Sequence, residues 1–241
     1  PAKPEKSSES TPPPAWPAGP YSGDLWSRST LTGDWGGVRN DLANHGLTFD
    51  FSVTQIYQGV IDGGQRDGPL GVPRLGSDTR TWEYSGTGDF LFNLDTGAAK
   101  LWQGGFFTLE VEADWSNNAH INEQTGGINA VNMNAIYVDP TTNGVAISNV
   151  SLAQFLSDHV GVFLGKIATI TQTAGDMNDF AHGKGDSQFF NLAFNFNPVA
   201  LLVPYSTLGA GVIILPGKTP NDAVITLSAF DPNGTPGTSG F

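Results

Sequence analysis

The strongest constraint in this chain is a strict two-residue alternation of apolar and polar side chains over residues 107–115. The apolar set consists of Phe107, Leu109, Val111, Ala113 and Trp115. The polar set consists of Thr108, Glu110, Glu112 and Asp114. Because successive side chains of a β-strand point to opposite faces, this period predicts a strand with one apolar and one acidic face.

Alternation recurs along the chain and predicts about eight strands, joined mainly as antiparallel hairpins. The predicted strands cover residues 48–55, 88–95, 108–115, 131–138, 147–157, 159–167, 207–215 and 222–230. The segment between the sixth and seventh, about 168–206, is rich in Asn, Asp, Gly and Phe. A connection of that length is typical of a functional loop.

A short amphipathic helix is predicted before the first strand. Thr32 and Asp34 are the candidate N-caps, the helix runs to about His45, and Gly46 supplies a left-handed stop. Its apolar stripe consists of Trp35, Val38 and Leu42. The preceding residues 1–30 are rich in Pro and Ser, which predicts a flexible tether.

Composition restricts the class of protein further. Charged residues make up 14% and hydrophobic residues 39%, which fits neither a disordered chain nor a helical membrane protein. No window approaches the roughly 18 apolar residues of a transmembrane helix, whereas a barrel strand needs only about 10 alternating residues. The absence of cysteine excludes a disulfide scaffold, and the net charge of −12 argues against nucleic-acid binding.

Two all-β architectures share this alternation. A soluble sandwich turns its polar face to water, whereas a membrane barrel turns its apolar face to lipid and its polar face to an aqueous lumen. The barrel is favoured by the aromatic ends of two apolar faces, Trp115 and Tyr137, by the density of acids, and by alternating short and long loops. We therefore predict a transmembrane antiparallel β-barrel over 47–241, with the helix (31–46) at its mouth and the tether (1–30) before it.

The ends of the sequence add two expectations. The polar start at Pro1 predicts an exported protein whose leader has been removed. The residues before Phe241, DPNGTPGTSG, form a turn sequence rather than a final strand. Since eight strands would enclose only a side-chain-filled interior, we expect a truncated chain and a wider barrel.

The segment LTGDWGGVRNDLANHGLTFDFSVTQIYQG resembles the opening of the carbohydrate-selective porin family, the OprB type. The matching block consists of Thr32, Gly33, Asp34, Trp35, Gly36, Gly37, Arg39, Leu42 and Gly46. A later region, with Asp179–Phe180 and a Phe-x-Asn-Leu-Ala-Phe stretch ending at Phe194, is also similar. The resemblance spans about 31–241. It implies the front half of a barrel of about sixteen strands, often trimeric, with inward loops and with arginine and glutamate side chains narrowing the pore.

Sugar passage requires weak, multiple hydrogen bonds, because tight binding would stop flow. Glu110, Glu112 and Asp114 are the first candidates, since a spacing of two puts them on one face of one strand. They either contact the solute or only hydrate the pore wall. Three acids so close repel one another unless basic side chains lie opposite, and the candidate partners are Arg80, Lys166 and Lys184.

Two further candidate sets lie in predicted loops. Arg80, Trp82 and Glu83 precede the second strand, where they suit a constriction or a sugar platform; an ordinary interfacial role for Trp82 is the alternative. The long loop carries a mixed cluster of Asp176, Asp179, His182, Lys184 and Asp186. This cluster narrows the pore, stays on the surface or binds Ca²⁺, although it does not fit an EF-hand pattern.

Patterns typical of enzymes are missing. The histidines lack zinc-site spacing, and the sequence has neither a G-x-S-x-G element nor a phosphate-binding glycine loop. Glu110 and Glu112 would lie about 6.5–7 Å apart, loosely suited to an inverting glycosidase, but no cleft is indicated. We expect no catalysis, cofactor or metal.

The predicted function is passive, carbohydrate-favouring diffusion through the bacterial outer membrane. The expected partners are small sugars, outer-membrane lipid and lipopolysaccharide and, by resemblance, two further copies in a homotrimer. One alternative is a structural or adhesive barrel that contacts the cell wall or a partner protein through residues 1–30. The other is a soluble secreted β protein that binds or cleaves sugars.

Overall fold

The structure, a computed structural model, describes residues 21–61, 82–115, 121, 131–132, 144–169, 204–217 and 223–234. Its elements are α1 (Val38–Asn44), β1 (Leu47–Gly59), β2 (Trp82–Asp95), β3 (Gly105–Asp114), β4 (Gly144–Phe155), β5 (Val160–Ala168), β6 (Ser206–Ile214) and β7 (Ile225–Phe230). Within these ranges, no helix is both long enough and apolar enough to cross a membrane.

The seven strands form one sheet in the order of the sequence, and every neighbouring pair is antiparallel. Over the part of the chain described, the sheet stays open, with β1 and β7 as its edges. The all-β prediction is confirmed, and seven of the predicted strands correspond to β1–β7. The eighth, 131–138, lies outside the described residues except for Val131 and Asn132, which are not in a strand.

The connections between strands alternate in length, as predicted. The long ones follow β1, β3 and β5 and span 60–81, 115–143 and 169–205. The short ones follow β2, β4 and β6 and span 96–104, 156–159 and 215–224. Because consecutive strands are antiparallel, all long connections leave one end of the sheet, the long-loop end, and all short ones leave the short-turn end.

The two faces of the sheet have a burial pattern opposite to that of a soluble protein. On β3, Glu110 and Glu112 are only 7% and 1% exposed, whereas Phe107 on the other face is 37% exposed. Apolar exposure continues across the sheet at Leu164 and Leu227. We call the face with Glu110 and Glu112 the polar face and the opposite one the apolar face. Soluble domains bury apolar side chains and leave carboxylates in water.

A β-bulge bends the sheet near its middle. Glu110 lies opposite Asn149 and Val111 lies opposite Ile147, which leaves Ser148 of β4 as the extra residue. A bulge of this kind bends the strand and increases its twist. The Ser206 hydroxyl at the start of β6 donates to the Ser148 carbonyl oxygen at 2.6 Å, although β5 separates these strands in the sheet order. The bend therefore brings β6 towards β4 at the long-loop end.

The N-terminal helix is shorter than predicted, and its predicted caps are wrong. It starts after Gly37, whose φ is 99° and which makes no side-chain cap hydrogen bond. Positive φ angles at Gly33, Trp35 and Gly36 prevent an earlier start. Trp35 therefore precedes the helix and does not form a helical stripe with Val38. The predicted left-handed stop at Gly46 is confirmed by its φ of 83°.

Arg39, the second residue of α1, attaches the N-terminal segment to the first strand. Its guanidinium donates to the Phe49 carbonyl oxygen at 2.6 Å and to Asp50 Oδ1 at 2.9 Å. It also donates to Thr30 Oγ1 at 2.9 Å and lies 4.0 Å from the centroid of the Tyr21 ring. Arg39 is 5% exposed and Tyr21 is 3% exposed. Burial, together with the Asp50 charge, raises the pKa of Tyr21. The predicted tether thus ends in an ordered contact at Tyr21, and residues 1–20 lie outside the described part.

We expect Arg39→Ala to lower the free energy of unfolding by about 2–3 kcal/mol, because it removes several charge-assisted hydrogen bonds from a buried group. The loss stays below the full cost of breaking a buried ion pair because Asp50 is 53% exposed and water screens its charge. Urea titration followed by tryptophan fluorescence measures the change. Arg39→Lys keeps the charge but not the planar fork, so an intermediate loss is expected. Unchanged stability in Arg39→Ala would contradict this attachment.

Candidate functional site

The candidate site is a group of carboxylates on the polar face of β2 and β3. Asp89 lies opposite Glu112 in the register. The carboxylate oxygens of Asp89, Glu110 and Glu112 lie within 4.8 Å of one another. The prediction that Glu110 and Glu112 share one face is confirmed. Like charges this close repel, and each of the three side chains takes part in further interactions. Oxygen ligands at this separation suit Ca²⁺, but three carboxylates alone do not define a metal site.

Asp114 shares this face but has a structural contact. It is 3% exposed, and its Oδ1 accepts a hydrogen bond from the Gly144 backbone amide at 2.7 Å. Asp114 is the last residue of β3 and pairs with Gly144, the first residue of β4. Asp114 therefore helps to terminate the ladder at the long-loop end, and its predicted contact with solute stays a prediction.

Tyr205 is a site residue that the sequence analysis missed. It precedes β6, and its hydroxyl donates to Glu112 Oε2. No periodic signal marked Tyr205, because it lies at the end of the segment 168–206, which was predicted as a loop. An aromatic residue next to a predicted strand was the only available clue.

Amide and hydroxyl groups extend the polar face towards β5. The Thr108 hydroxyl donates to Asn93 Oδ1 at 3.0 Å, which joins β3 to β2. The Asn149 side chain donates to Ser151 Oγ at 2.9 Å and accepts from the Ala168 backbone amide at 3.2 Å. Asn149 is fully buried. These contacts satisfy buried polar groups, as burial requires, and hold the strands beside the acids in register.

The predicted basic partners of the acids are described only in part. Lys166 lies in β5 and is 2% exposed, and it takes part in further interactions. Arg80 and Lys184 lie outside the described residues. The same holds for the other members of the predicted long-loop cluster, Asp176, Asp179, His182 and Asp186.

The predicted loop position of Trp82 is wrong, and its place on the apolar face fits the interfacial alternative and not a constriction. Trp82 and Glu83 belong to β2 and not to the loop before it. The alternation places Trp82 on the apolar face, where it is 48% exposed and stacks on Tyr57 with a centroid distance of 5.3 Å. It therefore does not line the polar face. Small residues at 85–88 interrupt the alternation of apolar and polar side chains, so the sequence predicts a shorter strand than the structure contains. Glu83 lies opposite Gln58 on the polar face, and its pore-lining role stays a prediction.

Aromatic side chains gather on the apolar face at the long-loop end. The Trp115 indole donates to the Tyr84 hydroxyl at 2.9 Å, and its ring covers Gly86 and Gly88. Trp115 and Tyr84, together with Tyr57 and Trp82, form a belt of aromatic rings, each of which carries an N–H or O–H group. Such residues favour the boundary between lipid and water. Trp115 was predicted in this role, whereas its predicted counterpart Tyr137 lies outside the described residues.

The short-turn end also carries aromatic side chains. Trp102, 50% exposed, donates from its indole to Gln154 Oε1 at 2.8 Å. Phe106 and Phe155 meet edge to face with a centroid distance of 5.8 Å. The alternation places these two rings on the polar face, because Phe106 precedes Phe107 in β3 and lies opposite Ala153. On the apolar face, the short-turn end carries the Trp102 ring, and the long-loop end carries the aromatic residues described above. Aromatic residues at both borders of an apolar face are typical of outer-membrane barrels.

The comparison with solved structures agrees with this class of fold. The chain is similar to a high-pH structure of OprB from Pseudomonas putida, with a TM-score of 0.62 and 22% identity, covering 87% of this chain and 46% of that chain. A low-pH structure of the same porin gives a TM-score of 0.42 and 15% identity, covering 83% and 50%. No known family profile and no curated protein match the chain.

The sheet therefore has a porin-type β fold. In particular, it has the fold of an OprB porin, which confirms the expected fold resemblance. The chain spans about half the length of the porin structures that it matches.

Proposed function

We propose that the protein is a bacterial outer-membrane porin that lets small solutes diffuse passively and favours carbohydrates. The observation that carries the proposal is the reversed burial of β3. Acids at 110, 112 and 114 are buried on one face, while the apolar residues of the other face stay partly exposed. A strand of this kind is stable with its apolar face in lipid and its polar face towards a lumen.

The preference for carbohydrates follows from the chemistry of the polar face. Carboxylates accept hydrogen bonds from neutral, hydroxyl-rich solutes, and amide side chains both accept and donate them. The acids at 89, 110 and 112 and the net charge of −12 oppose anionic solutes. Weak bonds to several such groups slow a sugar without trapping it. Passive transfer needs no catalysis and no cofactor, in agreement with structural neighbours that are porins and not enzymes.

The proposed surroundings are lipid and other copies of the chain. The apolar face and its aromatic residues suit outer-membrane lipid and lipopolysaccharide. A homotrimer is proposed from the family resemblance. Cross-linking followed by gel electrophoresis in detergent tests this, and a species of three chains is expected.

Planar-bilayer recording of the native protein tests the pore. We expect discrete single-channel steps, and partial, concentration-dependent block of the current by glucose-like sugars. A charged control of similar size, such as a sugar phosphate, should block less because the acids repel it. The absence of channel steps would contradict a pore, and channels that sugars do not block would contradict the carbohydrate preference.

The soluble alternative makes a separate prediction. Leu164 is 55% exposed and Leu227 is 63% exposed, and exposed apolar surface of this kind favours aggregation in water. The protein should therefore require detergent to remain monodisperse. A monodisperse protein in plain buffer would favour a secreted sugar-binding protein. The adhesive alternative assigns attachment to the cell wall or to a partner protein to residues 1–30. Deletion of residues 1–20, which leaves the Arg39 partners Tyr21 and Thr30 in place, tests it, and the adhesive alternative predicts that this attachment is lost while conductance is unchanged.

A further inference from the structure

The contact between Tyr205 and Glu112 crosses three strand spacings of the sheet. Glu112 belongs to β3 and Tyr205 immediately precedes β6, so β4 and β5 lie between them in the strand order. In a flat sheet these positions would be about 14 Å apart, at about 4.8 Å per strand. The hydroxyl nevertheless donates to the carboxylate. The neighbouring Ser206 hydroxyl also reaches the Ser148 backbone carbonyl oxygen across β5. A serine side chain is too short to do this in a flat sheet, so the two contacts together show that the sheet curves with its polar face concave.

The backbone around Tyr205 is held firmly. The Thr169 amide donates to the Tyr205 carbonyl oxygen at 2.8 Å, and the Thr169 hydroxyl donates to the Pro204 carbonyl oxygen at 2.8 Å. The neighbouring Ser206 hydroxyl donates to Ser148 in the bulge of β4. Thr169 and Ser206 are fully buried. Because three hydrogen bonds fix the chain on both sides of it, Tyr205 presents its hydroxyl from a rigid base.

Tyr205 orients one carboxylate within a group of three. Glu112 lies within 4.8 Å of Asp89 and Glu110, measured between carboxylate oxygens. A hydrogen bond from a hydroxyl group to an ionised carboxylate is strong, and it fixes the orientation of that carboxylate. The Tyr205 ring is half-buried, so it brings an aromatic surface next to the oriented group. Of this pair, the part that a carbohydrate can reach is the half-buried Tyr205 ring and not the Glu112 carboxylate, which is 1% exposed. The apolar face of a sugar ring can pack on such an aromatic ring.

We propose that Tyr205 is a positioning residue for solute selection. It ties the buried Glu112 carboxylate to the start of β6 across the concave face, and this tie fixes the shape of the wall that a passing carbohydrate meets. The inference rests on the pore function proposed above and adds a residue on which its carbohydrate preference depends.

Tyr205→Phe tests this role, because it removes the hydroxyl and keeps the ring. In bilayer recordings, we expect the dissociation constant for block by glucose to rise about threefold to tenfold. Sugar-free conductance should change less than about twofold, since the ring still occupies its place. Tyr57→Phe is the matched control, because Tyr57 is 68% exposed on the apolar face, and it should leave sugar block unchanged.

A double-mutant cycle with Glu112→Met separates positioning from packing, because methionine keeps the length of the side chain and removes the acceptor. If Tyr205 acts through Glu112, adding Tyr205→Phe to Glu112→Met should weaken sugar block no further. Additive effects, or normal sugar block in Tyr205→Phe channels, would overturn the positioning role. If the wild-type protein forms no channels in the bilayer, the result would instead overturn the pore function itself. Heat-modified mobility on gels verifies that each variant is folded.

Discussion

Leu164→Lys should reduce the free energy of folding into a bilayer by about 2–4 kcal/mol, the cost of a lysine at the lipid-facing midplane of a barrel. Leu164 lies at the centre of β5 and is 55% exposed on the apolar face. In lipid, the ammonium group loses its hydration without gaining a partner. Urea titration of the vesicle-inserted protein, followed by tryptophan fluorescence, measures the loss.

The matched control is Val160→Lys at the start of the same strand. Val160 is 37% exposed and lies at the short-turn end. Near the membrane boundary a lysine reaches water, so a cost of about 0–1 kcal/mol is expected. At exposed positions of a soluble protein, a substitution usually changes the free energy of unfolding by about 0.5 kcal/mol or less. Small and equal effects at both positions would therefore contradict the membrane orientation of the sheet.

Gly165→Ala should be the most damaging single change in the strands, with a loss of more than about 3 kcal/mol or no folded protein. Gly165 has a φ of 142°, which side chains rarely adopt. A Cβ there would collide with the Val150 carbonyl oxygen and lie 2.8 Å from Ser151 Cα. Both atoms belong to the backbone of β4, which cannot move aside without breaking its pairing with β5. Recovery of heat-modifiable, folded protein measures the effect.

Gly161→Ala on the same strand is the control. The added Cβ would lie 3.1 Å from the Phe155 ring, and a ring can rotate away where a backbone cannot. Gly161 is not among the glycines with positive φ. A loss of about 1 kcal/mol or less is expected. If Gly165→Ala is as mild as Gly161→Ala, the left-handed conformation at Gly165 is wrong.

Prediction from the sequence succeeded best where neighbouring side chains alternate without interruption. In β3 every other residue from Phe107 is apolar, and both the strand and its two faces were predicted. It failed in β2, where small residues at 85–88 hide the period and Trp82 was placed in a loop. The predicted helix start at Asp34 is also wrong. Residues before Val38 adopt left-handed backbone conformations, so the helix begins only at Val38.

The candidate site was only partly accessible from the sequence. Glu110 and Glu112 were selected because a spacing of two puts them on one face, which is a local property of a strand. Asp89 joins them only because the register places it opposite Glu112. Tyr205 joins them only because the sheet is curved. Register and curvature depend on pairing between distant segments. Neither can be predicted from the alternation of side chains within one segment.

The sequence by itself determined that this chain forms two-faced antiparallel strands, since side-chain direction follows from the backbone of each strand. The same alternation fits a sandwich and a barrel, so it left open which face is enclosed. The tertiary structure decided that the acidic face is the concave, buried one. The physical reason lies in the bulge at Ser148, which bends the sheet until Tyr205 reaches Glu112 and leaves the apolar side chains on the convex side.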